Sequence, residues 1–240
     1  MILVTMILLF VPAFVAGALG MKVASLNEKT SGGFLVFAGS YLFSISIIHV
    51  LPDLYEHSGE GHAIEIGIVV LIGFFFQQVL EFFTQGVEHG HMHSVNEGHK
   101  HGKLTSIYVV SALSIHALLE GTIVGGSEKI SAVLLGIILH KIPAALALVS
   151  ILLCQIGQKK KVLLFLIIFS LASPAGALFG SALKGSGIFF YLLGLVTGGF
   201  LHISTTIVFE SMKDHRFNKT KLLWSITGAL VAVLSEVIFL

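Results

Sequence analysis

"LTSIYVVSALSIHALLEGTIVG" occupies residues 104–125, and "ISAVLLGIILHKIPAALALVSILLC" follows at 130–154. Each run reaches the roughly 20 apolar residues that carry a helix across a bilayer. Only residues 126–129 separate them. Two such runs in immediate succession predict neighbouring membrane helices.

The rest of the chain extends the pattern. Of its 240 residues, 55% are hydrophobic and 11% charged, with a mean hydropathy of +0.96. Soluble domains carry about a quarter charged residues, so a water-soluble fold is excluded. Apolar runs predict eight spans, at about 2–24, 34–52, 64–86, 104–125, 130–154, 162–183, 188–210 and 222–240. The short alternating strands of a membrane β-barrel are absent. The expected fold is all-α, a polytopic membrane protein forming one domain over 1–240. Residues 1–20 read as the first span and not as a cleaved signal, because they lack a basic start and the apolar stretch runs on. Cys154 is the single cysteine, which excludes a disulfide within the chain. A formal net charge of +1 gives no footprint for nucleic acid.

Basic residues orient the spans. With the N-terminus outside, the inner loops hold eleven: Lys22, Lys29, Lys100, Lys103, Lys159, Lys160, Lys161, Lys213, Arg216, Lys219 and Lys221. The outer loops hold two, Lys129 and Lys184. That bias, with an even span count, predicts both termini extracytoplasmic.

Against this background, ionisable residues inside spans need a reason. Charged groups in a bilayer cost roughly 2.5–3.5 kcal/mol each on insertion scales and mark ion paths or relays. His116 and Glu120 stand at i and i+4 on the fourth span, one face of the helix and about 6 Å apart along its axis. His140 on the fifth span lies about as far from the outer side as His116 does. Two imidazoles and a carboxylate at one depth suit a borderline divalent metal such as zinc. Pro143 deprives the Leu139 carbonyl of its helical donor next to His140. Small residues on the same helices and the G-x-x-x-G pairs Gly176/Gly180 and Gly194/Gly198 predict close helix approach.

The segment 87–103 reads as an inner, cytoplasmic loop rich in metal ligands: His89, His91, His93, His99 and His101. It is expected to dock or buffer metal. His49 and Asp53 close the second span at the outer face, where with Pro52 they suggest an entrance. Glu81 and Glu210 lie near the inner ends of spans three and seven, on a plausible exit, while His202 and Glu236 sit deeper.

Together the motifs resemble one family, the ZIP (Zrt/Irt-like) metal transporters, over essentially the whole chain. "FAGSYLFSISIIHVLP" is similar to that family's second span, "SIHALLEG" to its fourth and "HKIPAA" to its fifth. "SPAGALFG" and "TGGFLHIS" are similar to the sixth and seventh. The resemblance implies eight helices, both termini outside, and uptake of divalent metal toward the cytoplasm. By position it makes His116, Glu120 and His140 the ligands of the transport site, with Tyr41 where some members add another. Ala117, Ala144 and Lys141 depart from the two-metal pattern and imply a single intramembrane ion.

The transported substrate is then zinc, with iron or manganese as alternatives, and no catalytic cofactor is expected. Partners are the metal ion, the lipid bilayer and at most a second copy of the chain, with the plasma membrane or an inner membrane as host. The rival from another class is an intramembrane zinc-dependent hydrolase, which the missing H-E-x-x-H pairing disfavours. A proton channel or a purely structural membrane protein is the third reading.

Overall fold

The computed structural model describes residues 2–22, 28–57, 61–84, 103–126, 131–210 and 219–239. Among them the elements are α1 (Ile2–Gly20), α2 (Glu28–Ile45), a π-helical turn (Ser46–Val50), α3 (Leu51–His57), α4 (Ala63–Thr84) and α5 (Lys103–Gly126). They continue with α6 (Ser131–Ile156), α7 (Lys159–Leu183), α8 (Gly187–Glu210) and α9 (Lys219–Phe239). The π turn joins α2 and α3 into one span, so these helices supply eight segments long and apolar enough to cross a membrane.

The second span ends later than Pro52 suggested, because the chain stays helical to His57. Proline has no amide N–H to give a helix and costs no backbone bond only in a first turn. Here the π turn resets the bonding just before it: the Leu51 N–H reaches back five residues to the Ser46 carbonyl. Pro52 then falls in the first turn of α3. Elsewhere short links reverse the chain. Gly157 at φ +68° separates α6 from α7, and Gly185 at φ +77° separates α7 from α8, conformations that cost glycine least.

The most extensive helix contacts are α5 with α7, α4 with α8 and α2 with α9. Glycine permits the first two. A Cβ on Gly121 or Gly125 would run into the carbonyl of Ser173 or Ala177, and one on Gly176 or Gly180 into that of Leu118 or Thr122. The two glycine pairs thus face each other across parallel helices, as small-residue packing requires in lipid. On α8 only Gly198 meets backbone, at Val70 on α4, where Gly73 in turn meets Leu195. Gly194 instead faces the Val69 side chain.

α5 and α8 are the most enclosed spans, each with 61% of its central window buried, against 17% for α1 and α9. Phe75, Val79 and Phe82 on α4 and Leu230, Leu234 and Val237 on α9 point outward, as a lipid-facing surface would. The enclosed centre is where the ionisable residues lie.

Candidate metal centre

His116 stands ten residues before the end of α5 and His140 nine after the start of α6. At 1.5 Å per residue both are roughly 15 Å from that end of the bundle, near mid-height. His116 is 5% exposed, Glu120 0% and His140 1%. His116 Nε2 lies 3.0 Å from Glu120 Oε1, and the two imidazole rings stand edge to face with centroids 5.9 Å apart. One ligand-capable atom from each of the three residues falls within 4.8 Å of the others. Donors on a tetrahedral zinc, about 2.0–2.1 Å from the metal, stand roughly 3.3 Å apart. Side-chain rotations of about 1.5 Å would therefore close this set on one ion.

The partners of His116 favour that use. Its Nδ1 is 3.1 Å from Gln77 Oε1 on α4. A neutral ring donating Nδ1–H there keeps a lone pair on Nε2, directed at a carboxylate oxygen. Two acceptors facing each other at that distance call for a proton or a cation between them. Gln77 was visible in the sequence only as a polar residue in an apolar span. Its partner could not be read, because the α4–α5 contact is tertiary.

Lys141 is buried beside the cluster, 2% exposed. Its Nζ lies 3.2 Å from Glu120 Oε2 and 5.2 Å from the centre of the Phe169 ring on α7. The ammonium thus balances the Glu120 charge and meets the electron-rich face of an aromatic ring. Ala117 and Ala144 belong to the apolar core with Leu113 and Leu148, so neither position offers a second ligand.

Tyr41 is not brought to the cluster. Its hydroxyl donates to the Ala132 carbonyl at 2.9 Å and lies 2.8 Å from the Ser235 hydroxyl. Ala132 is two turns of α6 away from His140. The ring itself packs against Gly136.

Four other candidates form two pairs. His49 Nδ1 lies 2.6 Å from Glu236 Oε1, joining the π turn to α9 near the end of the bundle where α3 and α9 stop. Glu236 is three residues from the end of α9, shallower than expected. Asp53 is half-buried on α3. His202 Nε2 lies 2.6 Å from Glu81 Oε2, joining α8 to α4 on the opposite side of the cluster. Glu210 closes α8, but its side chain lies outside the described residues. So does the loop with His89, His91, His93, His99 and His101.

Comparison with known proteins places these features. Protein zntD of Dictyostelium discoideum is 31% identical over 150 residues, 56% of this chain and 22% of that one. Zinc transporter ZIP9 of Micropogonias undulatus is 30% identical over 132 residues, 52% and 41% of the two chains. The ZIP9 of Xenopus tropicalis is 28% identical over 127 residues, 50% and 41%. The chain thus spans about a fifth to two fifths of the length of the curated relatives it matches. Residues 84–236, which include the whole buried cluster, match the model of the ZIP zinc transporter family. The chain belongs to that family.

Proposed function

We propose that this protein carries a divalent transition metal, zinc foremost, across the membrane toward the cytoplasm, and that His116, Glu120 and His140 hold the ion at mid-height. The observation that carries this reading is the convergence of three buried ligand-capable atoms within 4.8 Å, on two adjacent helices of a largely apolar bundle. Two imidazoles and one carboxylate favour zinc or iron over magnesium and calcium. The names of the relatives, zinc transporters in two cases, favour zinc among those. Direction rests on the basic residues: the end carrying Lys159, Lys160 and Lys161 faces the cytoplasm.

The test is zinc entry into proteoliposomes containing the purified protein. The parent protein should load the vesicles, and Glu120→Ala or His140→Ala should lower the rate. Removing an outer-shell partner of a metal ligand costs about 10–100-fold in affinity or activity, and losing a ligand should cost at least that. Near-parent uptake by monodisperse His140→Ala protein would remove His140 from the site.

A further inference from the structure

We infer that His202 and Glu81 form a second station for the same cation, between the central cluster and the lysine-bearing end of the bundle. The inference rests on the transport reading above for its cargo, and on the following geometry for its place.

Glu81 lies three residues before the end of α4, and His202 eight before the end of α8. The His202 side chain is 7% exposed and that of Glu81 21%. These two helices already meet through Gly73 and Gly198, so an ionisable pair is not needed to join them. In a lipid-embedded interface it is an expensive way to do so.

The chemistry of the pair points to a ligand. With Nε2 at 2.6 Å from the carboxylate, a neutral ring donates Nε2–H to Glu81 and keeps its lone pair on Nδ1. That Nδ1 is buried and has no hydrogen-bond partner. A carboxylate on one ring nitrogen and a vacant lone pair on the other is the arrangement of a metal-binding histidine. Phe74 stands edge to face with the ring at 4.8 Å and restricts its rotation. Leaving a buried polar atom unsatisfied costs about 1–3 kcal/mol, which a purely structural histidine would have no reason to bear.

A small cleft beside His116 approaches the pair. Gln77, His116 and Gly199 line one cleft between α4, α5 and α8. Gln77 is one turn before Glu81, and Gly199 three residues before His202. The cleft therefore ends about 5 Å, one helical turn, from the pair. An ion leaving His116 meets the Nδ1 lone pair of His202 as its next ligand, on a ring that Glu81 orients through Nε2. With fewer protein ligands than the cluster, this station holds the ion more weakly, as release from a multi-site path requires.

The test uses the full chain with Cys154→Ser and the histidines at 89, 91, 93, 99 and 101 changed to Ser, to lower the background. Cadmium is the probe. His202→Ala should bind one equivalent fewer by equilibrium dialysis, and so should Glu120→Ala, independently. His202→Cys should restore the lost equivalent and show the ultraviolet thiolate–cadmium charge-transfer band, a signature that mere folding cannot produce. Uptake by His202→Ala should fall by about tenfold. An unchanged stoichiometry in His202→Ala, or no thiolate–cadmium band in monodisperse His202→Cys protein, would overturn the station. Binding is read without transport, so an inactive parent protein would end the transport reading and leave this result separate.

Discussion

Lys141 places an ammonium 3.2 Å from Glu120 Oε2, in a layer of the bundle where a lone carboxylate is costly. A divalent ion arriving between His116, Glu120 and His140 must compete with that ammonium, which has no lone pair to offer it. Like charges repel strongly where the dielectric is low. Lys141 therefore lowers affinity while keeping the ion-free site near neutral. Lys141→Met should tighten zinc binding by about tenfold or more, equivalent to about 1.4 kcal/mol, measured by calorimetry on protein with the loop histidines replaced. Unchanged or weaker binding would show that Lys141 does not compete for Glu120. Much of this centre was legible in the sequence. The i, i+4 spacing set His116 over Glu120, while the approach of Lys141 to Glu120 came from the packing of α6 on α5. What stayed hidden was set by contacts distant in sequence: Gln77 on His116, Phe169 under Lys141, and the hydroxyl of Tyr41 bound to Ala132 and Ser235.

Helix boundaries and helix contacts show the same division. Apolar runs placed every span to within a few residues except at the second, where Pro52 suggested a stop. The π turn at Ser46–Val50 absorbs that proline, and no periodicity in the sequence announces it. Glycine spacing predicted close approach, but α5 is matched to α7 only by their packing in three dimensions. That match gives a direct prediction. Gly125→Ala would drive a Cβ into the Ala177 carbonyl, and overpacking of this kind costs about 1–3 kcal/mol. Its melting temperature in detergent should fall by several degrees. Gly187→Ala, which meets nothing within 4 Å, should leave it unchanged. Equal melting temperatures for both variants would mean that the α5–α7 contact yields easily.

Among the described residues, carboxylate–imidazole contacts between side chains that are not exposed recur at three heights. His49 with Glu236 lies toward one end, the cluster of His116, Glu120 and His140 near the middle, and His202 with Glu81 toward the other. Composition and span count made the membrane fold plain, and the match over residues 84–236 establishes the family. The succession of heights was not legible, because it depends on which helices become neighbours. The central claim is that the middle cluster holds the transported ion, one at a time. Anomalous diffraction from crystals saturated with zinc tests it most directly, using protein without the histidine loop. The account predicts one ion between α5 and α6, within bonding distance of His116, Glu120 and His140, with the Lys141 ammonium moved off Glu120. Two well-occupied ions between those helices, or none there while the Lys141–Glu120 pair stays closed, would contradict it.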